Sequence, residues 1–235
     1  MSRSPLTQLM GLSRSVGNGP EAELCEAVLE SRLPTDKRLP RIIFREPRLP
    51  TGYPDVVAVY ARARSINYAC SRWYLMVDHV RVMHFLYWNR GANLAELADL
   101  LVQSLHQISE IVEHLQEARM VIRRGYHVAP RALEDLFIAR RIVAIELKVS
   151  DWQKAIVQAA ANTWFASHSY ILIRPHRSIK KITRQAKNFG IGVLIFKEQK
   201  VHTVLEAEER NLPASYGSWI VNEWTMHRLC EGDAR

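Results

Sequence analysis

The chain has 235 residues, of which 48% are hydrophobic and 24% charged, and a formal net charge of +8. That is an ordinary globular balance, sufficient for one large domain or two small ones, and no apolar run reaches the length that crosses a bilayer. Three cysteines, far apart and odd in number, argue against a disulfide framework or a cysteine zinc site and for a reducing, cytoplasmic setting, while the basic excess favours a polyanionic partner such as nucleic acid.

Residues 1–18 lack the apolar core of a secretory signal and are expected to form a flexible arm. Gly19-Pro20 opens a helix, because proline fits a first turn whose N–H is unpaired anyway. Glu21, Glu23 and Glu26 load acid near its positive end. Leu24, Ala27, Val28 and Leu33 give it an apolar face, and Pro34 ends it. Ile42-Ile43-Phe44 and Pro54 to Tyr60 read as two strands joined by a turn at Leu49-Pro50-Thr51-Gly52. Asp55, at the mouth of the second strand, is either a turn residue or a site residue.

Apolar residues at helical period, Trp73, Leu75, Met76, Val80, Met83, Phe85, Leu86 and Trp88, predict a long helix over Ser71–Asn89, stopped at Gly91. Asn93 caps a short helix to Leu101. Ser104 caps a longer one to about Arg119, with Leu105, Ile108, Ile111, Val112 and Leu115 facing inward. Met120 to Val128 reads as a tight hairpin around Arg123-Arg124-Gly125. This order, over residues 71–131, resembles a winged helix-turn-helix. The resemblance implies that the helix opened by Ser104 enters a major groove, offering His106, Gln107 and Glu110, and that Arg123 and Arg124 of the wing reach phosphates or a minor groove. The alternative is a protein-contact module, since basic side chains here barely outnumber acids.

Arg141 to Val149 is an Ile/Val-rich strand interrupted by Glu146 and Lys148, which share one face at i and i+2. Burying such charges is costly unless they are paired or bound to an ion; the alternative is a salt bridge on a solvated face. Ser150 is expected to cap a helix over Asp151–Ser167 that carries Gln158. Tyr170 to Ile173 is the next strand. His176 to Asn188 is a basic amphipathic helix bearing Arg177, Lys180, Lys181, Arg184 and Lys187, whose alternative reading is a solvated face. Gly190-Ile191-Gly192 leads into the strand Val193 to Phe196. Beyond Lys197 only a C-terminal helix around Trp219, Ile220 and Trp224 is legible. The nine histidines show no zinc spacing.

With the insertion set aside, the order is helix, strand, strand, strand, helix, strand, helix, strand. Together with Pro54-Asp55, Glu146-Leu147-Lys148, Gln158 and the helix acid Glu21, this resembles the PD-(D/E)xK nuclease superfamily, the restriction-endonuclease-like fold, over residues 20–66 and 140–200. One departure is the gap of about 90 residues between Asp55 and Glu146, which an inserted domain accounts for at small entropic cost. The resemblance implies an α/β fold, a mixed sheet flanked by helices, built from a discontinuous nuclease-like domain (19–66 and 132–235) with a winged helix inserted at 67–131. It also implies a Mg²⁺-dependent (or Mn²⁺-dependent) endodeoxyribonuclease: Asp55, Glu146 and Glu21 as metal ligands, with Glu23 the runner-up for the helix acid, Lys148 positioning or deprotonating the attacking water or stabilising the phosphate, and Gln158 orienting the site or touching the scissile phosphate. Duplex DNA is the implied partner, with Lys180, Lys181 and Arg184 near phosphates; a homodimer is a family expectation, and no membrane is involved. The alternatives are an inactive nuclease-fold DNA-binding regulator and a protein-interaction module.

Overall fold

In the computed structural model, which describes residues 20–31, 39–62 and 70–231, the chain opens with helix α1 (Pro20–Glu30) and strands β1 (Arg41–Arg45) and β2 (Val56–Ala61). A 3₁₀ turn (Cys70–Tyr74) leads to α2 (Val77–Asn89), β3 (Ala92–Asn93), α3 (Leu94–Leu101), α4 (Leu105–Glu117) and the hairpin β4 (Val121–Arg124) and β5 (His127–Pro130). Then follow α5 (Leu133–Leu136), β6 (Ala139–Lys148), α6 (Trp152–Asn162), β7 (His168–Ile173), α7 (Ile179–Asn188), β8 (Gly192–Lys197), β9 (Lys200–Leu205) and α8 (Tyr216–Cys230). The protein is therefore α/β. Its six-stranded sheet runs β1-β2-β6-β7-β8-β9, with β6, β7 and β8 parallel and the outer pairings antiparallel. A second sheet, β3-β5-β4, belongs to the segment between β2 and β6.

Alternation along β6 divides the interior. Val143, Ile145 and Leu147 face Leu24 and Val28 of α1, together with Val56 and Ala58 of β2. Ile142 and Ala144 face the other way, into a core shared with Val57, Val59, Trp219 and Trp224. That core continues without a break into Leu86 of α2, Leu97 of α3 and Leu115 of α4, so the inserted segment and the sheet bury apolar surface together. Helix α8 joins them and is buried on all sides from Gly217 to His227. Helices α6 and α7 cover Ile171, Ile173 and Val193 on the same side.

Several boundaries differ from the sequence reading. The helix expected over Ser71–Asn89 is broken: Met76 adopts an extended conformation (φ −105°, ψ 174°) as N-cap of α2, and its N–H donates to Nδ1 of His79 at 3.0 Å. Met76 and Trp88 are exposed. The long helix ends at Glu117, because Arg119 turns left-handed (φ 56°), and Leu105 is 57% exposed rather than inward. The hairpin turns at Gly125-Tyr126, one residue later than expected, with Gly125 at φ 62° where a β-carbon is disfavoured. Asp151, not Ser150, caps α6, accepting from the Lys154 N–H, and α6 stops at Asn162. Strand β9 was not expected: it is a largely exposed edge strand without the apolar alternation that marks a half-buried one. The expected N-terminal arm and the stop at Pro34 lie outside the described residues.

Candidate active site

Antiparallel register brings together acids far apart in the sequence. Val56 of β2 pairs with Ile145 of β6, so Asp55, just before β2, stands opposite Glu146. Asp55 is held there by its own Oδ2, which accepts the Leu147 N–H at 2.7 Å. Lys148 lies one pleat beyond Glu146, its Nζ 3.6 Å from Asp55 Oδ2 and 3.4 Å from Oε1 of Glu21 in the first turn of α1. The Lys148 ammonium also donates to the Leu147 carbonyl at 2.8 Å. Glu146 is 1% exposed. Its Oε1 accepts from Asn162 Nδ2 at 2.7 Å, whereas its Oε2 is buried without a hydrogen-bond partner.

The electrostatics follow from this crowding. Burial, and then the Asp55 charge, push the Glu146 carboxyl up to about 8. Burial likewise raises Asp55, against the Leu147 hydrogen bond and the Lys148 charge. For Lys148, burial pulls down, but the charges of Asp55 and Glu21 outweigh it and the ammonium is held above its ordinary range. The site thus gathers two carboxyls, one of them deeply buried, beside a single cation that is not in contact with the deeper one. A hard divalent cation suits such a donor set: it takes carboxylate and carbonyl oxygens, and the bare Oε2 of Glu146 is an oxygen with nothing to bind.

The other expected residues are distributed as follows. Glu21 reaches Lys148, and among the described residues no group of three or more His, Cys, Asp or Glu side chains is gathered closely enough to hold a metal ion. Asp55 and Glu146 therefore form a pair, not a triad with Glu21. Glu23, two residues on, pairs with Arg174 after β7. Gln158 lies on α6 one turn before Asn162; its Oε1 is buried without a partner, and it does not hydrogen-bond to either carboxyl. Asn162 itself was missed in the sequence, although its i+4 spacing from Gln158 puts both on one helix face.

In the inserted segment, Ser104 and Gln107 are committed to a reciprocal cap of α4: the Ser104 Oγ accepts the Gln107 N–H, and the Gln107 Oε1 accepts the Ser104 N–H. His106 is exposed, 3.6 Å from Glu110. Arg123 is drawn back onto α4, donating to Ser109 Oγ and the Gly125 carbonyl, with Glu113 3.9 Å away. Arg124 is exposed. On α7, Lys180, Lys181 and Arg184 are exposed, with Lys181 over the Trp152 ring. Among the described residues no helix is long and apolar enough to cross a membrane. In comparison with known proteins, no family model, no curated protein and no solved structure matches the chain.

Proposed function

We propose that this protein is a divalent-metal-dependent endodeoxyribonuclease of the restriction-endonuclease-like fold, with a winged helix inserted between β2 and β6. The observation that carries the proposal is the meeting of Asp55 and Glu146 across paired strands with the Lys148 ammonium beside them. Support for the fold comes from the helix α1, the mixed sheet, and the crossover helices α6 and α7 in the expected order. Support for the winged helix comes from two capped helices, α3 and α4, followed by a hairpin whose second strand also pairs with β3.

Asp55 and Glu146 would hold a Mg²⁺ or Mn²⁺ ion, with the Leu147 carbonyl as a further oxygen. Such an ion, when bound, acidifies a water and shields the charge that develops on phosphate. With its ammonium held by Asp55 and Glu21, Lys148 would donate a hydrogen bond to the water or to a phosphoryl oxygen. Asn162 fixes Glu146, and Gln158 on the same face supplies an amide for the scissile region. Arg124 and His106 of the insertion and the basic face of α7 would meet duplex DNA.

Nicking of supercoiled plasmid in Mg²⁺ or Mn²⁺ tests this reading. Wild type should cut, and Glu146→Gln and Lys148→Ala should each lose about a hundredfold or more in rate. Variants that cut as well as wild type would remove the site assignment. A wild type that shifts DNA in a gel without cutting it would favour the inactive-regulator reading; the retracted Arg123 and the self-capped Gln107, which take two groups away from DNA contact, favour instead the protein-interaction reading of the insertion.

A further inference from the structure

A cavity of about 430 Å³ lies at the opposite end of β6, between its first residues and the loop that leads into α8. Its polar wall carries Arg62, Arg140 and Arg210, with Glu134 and Glu209. A neighbouring hollow of about 290 Å³ shares Arg62, Arg140 and Glu209 and adds Arg141. Arginines thus outnumber acids two to one around one concave surface. Arg62 and Arg140 are exposed, and among the described residues neither guanidinium has a hydrogen-bond or ion-pair partner. The walls are fixed by backbone: the Arg62 N–H donates to the Ile138 carbonyl at 3.1 Å and the Arg210 N–H to the Ser167 carbonyl at 2.9 Å.

We infer that this cleft binds a phosphate-bearing ligand of mononucleotide size, at a site separate from the carboxylate pair. Guanidinium forks match phosphate oxygens two at a time, and the two that carry no competing partner here are available for it on a wall whose backbone is fixed. The volume falls in the range of small-ligand pockets and is far smaller than a duplex track. Leu133, Phe137 and Leu212 give the cavity an apolar side for the part of the ligand that is not phosphate. Glu134 and Glu209 repel a bare polyphosphate but accept from ribose hydroxyls and base amines, which selects a nucleotide over an inorganic chain. The six residues from Arg140 to Glu146 place the cleft about 20 Å along the strand from the acids, so one ligand does not serve both. The phosphate source is either a free nucleotide or the phosphorylated end of a strand.

Calorimetric titration of the full chain with ADP, GDP, CDP and UDP, with adenosine as a phosphate-free control, tests the inference. A second arm compares 5′-phosphorylated with 5′-hydroxyl oligonucleotides. Binding of at least one diphosphate, or of the phosphorylated oligonucleotide over its hydroxyl form, is expected, with adenosine silent. Which arm responds identifies the source. Arg62→Gln with Arg140→Gln should weaken that binding by roughly tenfold or more at unchanged thermal midpoint, and Arg140→Lys by less, since it keeps charge and loses the fork. Glu146→Gln should bind as wild type does. The inference is overturned if no diphosphate and no phosphorylated end binds at up to about 5 mM, or if the double arginine variant binds unchanged.

Discussion

At the scale of single residues, the structure rests on polar groups that are buried and hydrogen-bonded. Asn162 is the clearest: its amide donates to Glu146 Oε1. Replacing it with Ala should cost about 1–3 kcal/mol, read from urea unfolding, and should lower nicking as the carboxyl loses its orientation. His79 is a second case. It is buried, accepts the Met76 N–H at Nδ1, and lies 3.2 Å through Nε2 from Nδ1 of His114, an arrangement made for a neutral ring. Burial, and then the His114 charge, lower it from 6.5 to about 4. The folded value is below the unfolded one, so the unfolded chain takes up the extra proton. The stabilisation is complete above pH 6.5 and is lost as pH falls toward 4, on the order of 2–3 kcal/mol at the lower limit. Unfolding midpoints measured across that window should decline in wild type and decline less in His79→Gln. Equal slopes would contradict it.

At the scale of elements, the apolar runs were legible and their partners were not. The Ile/Val content of β6 marks a buried strand by itself, and Asn93 and Ser104 announce their helices through capping residues. Strand β9 was invisible because an edge strand exposed on both faces has no hydrophobic period. Close approach is equally silent in sequence. Gly192 reads as a turn residue after Gly190, yet in β8 it lies under the Tyr170 ring, where a β-carbon would fall 2.2 Å from Cε1 and 2.8 Å from the Ala207 amide nitrogen. Gly192→Ala should therefore destabilise by about 1–3 kcal/mol, measured by thermal or urea unfolding, despite the gain in strand propensity.

At the scale of the whole molecule, what spacing alone hid was long-range registration. Asp55 and Glu146 are brought opposite by a strand pairing that spans the entire insertion, and only the resemblance to nuclease motifs linked them beforehand. Arg72 and Glu223 were linked by nothing in the sequence. They form a buried ion pair, 3.0 Å apart, that ties the entrance of the insertion to α8, with the Leu136 carbonyl and Asn222 completing the set. Removing one partner leaves the other charge buried, so Glu223→Ala should cost about 3–5 kcal/mol. Because α8 shares its core with the sheet and with α2, that loss should lower the whole transition, not detach the insertion: denaturant unfolding followed by near- and far-ultraviolet circular dichroism should stay coincident.

The central claim is that the carboxyl pair at the junction of β2 and β6, next to the Lys148 ammonium, accommodates a hard divalent ion. Titration of Mn²⁺ into the protein, followed by the loss of the free-ion electron paramagnetic resonance signal, measures this directly. Wild type should take up Mn²⁺ with an affinity that Asp55→Asn and Glu146→Gln each weaken by roughly tenfold or more, while Glu23→Gln leaves it unchanged. Uptake that is absent in wild type, or unaltered by both site variants, would contradict the account.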